Sequence, residues 1–211
     1  RYMRVFGEAS VRMLIRSTSP RLAHLACRTG FPAARMATHL ESATVVGVDS
    51  SRAALDLARA KARTVEGATF DYQHADDYPT ALPSEQFSHA LALHPLGVNG
   101  NYSEALAELY RVLYPGGQAV MSLPLRGSFP EVYDMLREYA LRHDQPDFGE
   151  AVDTAAANRP NPETLVEQAE SAGFAEIDVG VDLVAITFEN GRDFLEDPIA
   201  RLVVGPDIVT S

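Results

Sequence analysis

Residues 44–48 (TVVGV) constrain the fold more than any other segment of this chain. They form a β-branched apolar run with no polar alternation, closed by Asp49-Ser50-Ser51 and followed by alanine- and leucine-rich sequence to Arg63. A strand apolar on both faces must be covered on both, which is the condition of a parallel sheet packed between helices. Ser50 or Ser51 can cap the helix that follows. The same rhythm recurs. Residues 21–26 read as a strand, Gly30 as a turn, and Pro32 as the first turn of a helix to Leu40. Residues 69–73 and 90–93 read as further strands, and 102–113 as a helix with Ala105, Leu106, Leu109, Val112 and Leu113 on one face. Pro115-Gly116-Gly117 breaks that helix before a fifth strand at 119–123. Residues 2–15 have looser helical spacing. Strands and helices in alternation predict an α/β fold with a mostly parallel sheet and helices on both faces.

Beyond Phe129 the pattern changes. Residues 130–143 and 163–172 read as helices, separated by a polar stretch with Asp144, Pro146, Asp147, Asn158 and Pro160. Gly173 closes the second helix, residues 177–188 (IDVGVDLVAITF) alternate as an antiparallel edge strand, and 191–204 read as a short helix. No seventh strand is evident. The chain starts Arg1-Tyr2-Met3, so we read it as a fragment or processed chain, short of a terminal element. One domain is expected over 1–211, with an N-terminal helix (1–19), a ligand-binding half (20–125) and a capping segment (126–211).

Composition narrows the partners. Eighteen basic residues against 29 acidic ones leave a net charge of −11. That disfavours nucleic acid and anionic membrane surfaces. A single cysteine, Cys27, excludes an internal disulfide framework and fits a reducing, cytoplasmic compartment. The six histidines show no metal-ligand spacing, so no metal is expected. A protein partner or a small molecule remains.

Four stretches in order, 22–31 (LAHLACRTGF), 45–51 (VVGVDSS), 76–93 (DDYPTALPSEQFSHALAL) and 111–125 (RVLYPGGQAVMSLPL), resemble the class I S-adenosylmethionine-dependent methyltransferases, in their small-molecule branch. The resemblance covers about residues 20–188 and implies a Rossmann-like methyltransferase fold with S-adenosylmethionine as cofactor. It casts Ala26 and Gly30 in the cofactor loop, Asp49 with Ser50 at the ribose, and Asp76, or Asp77 one place on, at the adenine amino group. A carboxylate accepts two ribose hydroxyls well. A helix cap is the other reading of Asp49, whose position favours the ribose, while Asp76 and Asp77 read equally as a solvated turn.

Two positions depart from the family pattern. His24 stands where the family has an acid that anchors the cofactor's ammonium, and Arg28 where it has glycine. Arginine adds a positive charge near a sulfonium cation, and such like-charge proximity costs about 1–3 kcal/mol. Phe87-Ser88 replaces the usual Phe-Asp. Arg28 either points outward, admits the cofactor and pairs with its methionyl carboxylate, or turns inward and fills the site, paired with Asp49. Cys27 reads as a buried filler rather than a nucleophile. His94, ending the fourth strand, reads as a structural histidine or a general base. Phe129, Tyr133, Tyr139 and Phe148 line the capping segment or simply pack it. These departures favour a pseudoenzyme, a methyltransferase-fold domain with impaired cofactor binding that serves as a binding or regulatory module. The alternative is an active methyltransferase acting on a small molecule.

Overall fold

A computed structural model of the protein describes residues 2–95 and 100–205. Five parallel strands, β1 (Arg21–Leu25), β2 (Ala43–Asp49), β3 (Ala68–His74), β4 (Phe87–Leu93) and β5 (Leu113–Ser122), form one sheet in the order β3-β2-β1-β4-β5. Parallel pairing puts every carboxyl end on one edge of the sheet, with Leu25 beside Val48 and Ala92. From β1 the chain winds outward through β2 and β3, then crosses back to β4. The order therefore reverses between β1 and β4, and in open α/β sheets the ligand crevice lies at that reversal.

Alternation along the central strands divides the core into two layers. Ala23, Leu25, Val46, Val48, Ala90 and Ala92 face α4 (Ser103–Val112), meeting its Leu106, Leu109 and Val112. Leu22, Val45, Leu91 and Leu93 face the opposite way, against Val11 of α1 (Tyr2–Met13), Leu14 just after it, and Met36 of α2 (Ala33–His39). Every residue of β4 is buried, as a central parallel strand demands. Ser51 caps α3 (Arg52–Ala62) by accepting the Ala54 N–H, which decides between the two candidate serines. Ser88 links the amino ends of two strands: its hydroxyl accepts the Arg21 N–H and donates to the Arg21 carbonyl.

The fifth strand begins earlier than expected. Leu113 pairs with Phe87 and Gln118 with His89, so four residues on β5, 114–117, oppose one on β4 and bulge from the ladder. Pro115-Gly116-Gly117 thus forms a bulge within the strand rather than a break before it. The polar stretch after α5 (Pro130–Arg142) is a helix too, α6 (Pro146–Asn158), followed by α7 (Pro162–Ala172), whose last turn is closed by Gly173 at φ 104°. The α6 signal is faint because its buried side chains, Val152 and Ala155, are few and small. Phe129, Tyr133 and Phe148 pack with them, and Tyr139 stacks edge-on against Phe148. These aromatics hold the capping helices together.

The expected antiparallel edge strand is not formed. Residues 177–188 carry no regular secondary structure, and Leu183 is 97% exposed. Alternating sequence supplies a face, but a strand also needs a neighbour's backbone groups, and this segment does not pair with β5. The terminal segment contains α8 (Gly191–Glu196) and a π-helical turn (Ala200–Val204) instead of one helix. The part of the capping segment after 205 lies outside the described residues.

Between β3 and β4 the chain is fastened by a buried carboxylate. Glu108, on α4, accepts from the Thr80 N–H at 3.0 Å and from its hydroxyl, and pairs with Arg111 Nε at 2.7 Å. Arg111 in turn donates to the Leu82 carbonyl and to Ser84. Burial alone would raise the Glu108 carboxyl, but the bonds from Arg111 and Thr80 outweigh it and hold the pKa below its ordinary value. A depressed carboxylate stabilises the fold above its unfolded pKa, and that contribution disappears as pH falls through the folded one. Glu108→Gln should cost about 2–3 kcal/mol at neutral pH. The cost should shrink on acidification below about pH 4.3, read by urea unfolding across that range.

Candidate functional site

The loop after β1 meets the end of β2 through a backbone bond that the sequence does not announce. Cys27 N–H donates to the Val48 carbonyl at 3.0 Å, and Gly30 N–H to Cys27 at 2.8 Å, closing a tight turn. Asp49, at the tip of β2, divides its carboxylate between two backbone donors: Oδ2 accepts the Arg28 N–H at 2.8 Å and Oδ1 the Ser51 N–H at 2.9 Å. Asp49 is therefore both the loop's anchor and part of the α3 cap. A carboxylate offers about four lone-pair positions, so two remain for a ligand. Ser50 is exposed in the same turn.

Ala26, Arg28 and His94 all have positive φ, at 49°, 49° and 50°. Each such non-glycine residue costs about 1 kcal/mol or more, and a cluster at one crevice is a mark of function. Gly30, at φ 72°, has a further reason to be glycine. A Cβ there would lie 2.6 Å from the Tyr72 hydroxyl and 3.0 Å from Ala58. Packing against the protein itself, as well as any ligand approach, therefore holds that position.

Arg28 spans the crevice. Its Nη1 donates to the Leu93 carbonyl and its Nη2 to the His94 carbonyl, both at 2.7 Å. The side chain from the β1 loop is thus tied across the reversal point to the carboxyl end of β4. The inward reading of Arg28 has the right direction but the wrong partner, because Asp49 takes its backbone N–H and the guanidinium goes to β4. Tyr78, half-buried, lies within electrostatic reach of Arg28 and Asp49, and burial pushes its hydroxyl up to about 12. Sequence reading missed Tyr78, and it missed the Leu93 and His94 carbonyls, since a backbone acceptor has no residue-type signal.

The remaining candidates divide. Cys27 is buried, and burial raises its thiol to about 12, which fits a filler and leaves it unreactive. Asp76 pairs with His74 at 3.2 Å, but its side chain is 76% exposed, and Asp77 is exposed beside it. Neither is drawn into the crevice by another protein group. His24 lies on the β1 face shared with Leu22, between Gly47 and Leu91.

His24 and His94 are both lowered to about 3, first by burial and then by the Arg28 charge. Both are neutral at ordinary pH, so the crevice carries the fixed positive charge of Arg28 without a histidinium beside it. A histidine depressed in the fold takes up its proton on unfolding, so stability rises with pH between the folded and unfolded values. It should fall as pH drops from 6.5, above the carboxylate range. Between pH 7 and about pH 5.5 the pair should cost about 2 kcal/mol. His94→Asn, which tolerates the left-handed backbone, should remove about half of that slope in urea unfolding. An unchanged slope would refute the assignment.

Comparison with known proteins agrees with this geometry. Residues 23–117 match a methyltransferase domain family. The chain is 32% identical over 127 residues to a demethylmenaquinone methyltransferase of Thermus thermophilus, covering 59% of this chain and 57% of that protein. Its structure resembles phosphoethanolamine N-methyltransferase 2 of Haemonchus contortus, solved with S-adenosyl-L-methionine, at a TM-score of 0.57 and 19% identity, over 82% of this chain and 37% of that one. It also resembles the [4+2]-cyclase SpnF at a TM-score of 0.58 and 21% identity, over 83% and 58%. At such identities these two structures show the fold alone. Residues 23–117 thus match a methyltransferase domain, and the parallel sheet, with the loop that joins Asp49 to the β1–β4 reversal, gives the chain a Rossmann-like methyltransferase fold.

Proposed function

We propose that the protein is an S-adenosylmethionine-dependent methyltransferase that acts on a small molecule. The observation that carries this reading is the Asp49 carboxylate. It is oriented by the Arg28 and Ser51 N–H groups at the tip of β2 and has acceptor capacity left for two ribose hydroxyls. The loop also keeps its tight turn at Gly30. Methyl transfer needs chiefly the alignment of a nucleophile with the methyl group, so a site poor in acid–base residues suffices. The curated relative is named for demethylmenaquinone, which supports a small molecule as acceptor. The lone buried thiol suits a cytoplasmic setting.

Arg28 and His24 favour a second reading, a non-catalytic binding module. The guanidinium tied across β1 and β4 occupies part of the crevice, and a neutral His24 offers no anion to the cofactor's ammonium. A fold of this kind does not dictate chemistry.

Calorimetric titration with S-adenosylmethionine separates the two. The methyltransferase reading expects micromolar binding, weakened roughly 10- to 100-fold in Asp49→Asn, as loss of a charge-assisted hydrogen bond requires. The binding-module reading expects no measurable binding by the parent and its return in His24→Asp with Arg28→Gly. Thermal melts of each variant confirm folding.

A further inference from the structure

We propose that the protein forms a two-fold dimer in which the acidic, apolar segment 176–188 of each copy docks on a basic, apolar patch of the other, made by Arg12, Met13, Ile15 and Arg16 where α1 ends. Neither surface includes a residue of the Asp49 crevice.

Charge is unevenly spread along the chain. Residues 1–35 hold seven arginines and a single acid, Glu8, whereas residues 176–197 hold seven acids and a single arginine, Arg192. Glu8 is taken up by Arg4 and Arg35. Among the described residues no ion pair engages Arg12 or Arg16 on one surface, or Glu176, Asp178 or Asp182 on the other, and all five are exposed.

Each surface also leaves apolar side chains in water. Met13 and Ile15 are 54% and 65% exposed beside the two arginines. Their backbone is fixed. Gln118 of β5 accepts the Ile15 N–H at 2.8 Å and donates to the Met13 carbonyl at 3.0 Å, and the Leu14 and Ile15 carbonyls accept from the His39 and His89 rings, both at 2.7 Å. The patch therefore meets a partner without ordering a loop or stripping water from unpaired peptide groups. On the opposing surface Val181, Leu183 and Val184 are exposed, next to Asp182. Adjoining apolar residues rimmed by charge mark an interaction site.

The occupant is a second copy because one chain carries both halves of the contact. Segment 177–188 runs from Ile177, packed on the α4 layer of the core, to Ile186 and Phe188, packed with Met3 and Phe6 of α1. The edge strand β5 contacts both α1 and α4, and its Gln118 holds the patch. The two surfaces thus flank one strand, and a two-fold rotation brings each onto its counterpart in the same step, so the contact closes at two copies. The net charge of −11 on each copy repels at long range. Salt screens that repulsion beyond about 8 Å and leaves opposite charges in contact their attraction.

The test is sedimentation velocity on the full chain at concentrations up to about 100 μM. The parent should sediment as a dimer. Arg12→Glu with Arg16→Glu should weaken self-association about 10-fold or more, and so should Asp178→Arg with Asp182→Arg. An equimolar mixture of the two variants should dimerise again, since each then meets opposite charge at both contacts. Thermal melts check folding. Should a charge variant fail to fold, Ile15→Ser and Leu183→Ser take its place, each with about a 10-fold loss. A parent that stays monomeric overturns the proposal, as does a dimer left intact by either pair of reversals or not restored in the mixture. Vesicles of phosphatidylcholine with phosphatidylserine are run in parallel. Binding to them by a monomeric parent, lost in Arg12→Glu with Arg16→Glu, assigns the patch to a membrane and overturns the proposal as well.

Discussion

Asp49 is the point through which the strands, the loop and the helix at the candidate site are joined. Its carboxylate takes one backbone N–H from the loop after β1 and one from the start of α3. Without that pair of bonds, Arg28 would have no fixed backbone from which to reach the end of β4. The arrangement follows from parallel topology: only when neighbouring strands run in the same direction do their carboxyl ends, with a loop and a helix start, meet on one edge. The buried layers on either face keep β1, β2 and β4 in register, and so hold the Leu93 and His94 carbonyls where the guanidinium finds them.

Arg28 brings a charge, a long side chain and a left-handed backbone into the crevice. The protein accommodates all three: two carbonyl acceptors meet the charge, the reversal point provides the length, and the Asp49 bond fixes the backbone. His24 is adjusted in the opposite sense, by being kept neutral. The two residues are therefore coupled, because a charged histidine beside a buried guanidinium would be doubly unfavourable.

Legibility in the sequence tracked the kind of force involved. Residues 44–48 announced a buried strand because β-branched side chains report a packing environment directly. α4 was equally plain, with Ala105, Leu106, Leu109 and Val112 on one face, whereas α6 showed only Val152 and small alanines and passed for a loop. At the site, Asp49, Gly30, His24 and Arg28 were all visible as residue types. What they touch was not. Tyr72 filling the space beside Gly30, and Tyr78 near Arg28, come from strands and loops more than forty residues away.

The sequence by itself determined the α/β class, the order of the strands along the chain and a helix start at Ser50 or Ser51, since all of these rest on local pattern and side-chain chemistry. Tertiary structure alone decided that β5 bulges at Pro115-Gly116-Gly117, that residues 177–188 remain unpaired with the sheet, and that Arg28 bridges to β4 instead of pairing with Asp49. The reason is common to all three. Each depends on backbone groups of a distant segment, and every residue carries nearly the same backbone groups, so the sequence cannot mark which of them will be met.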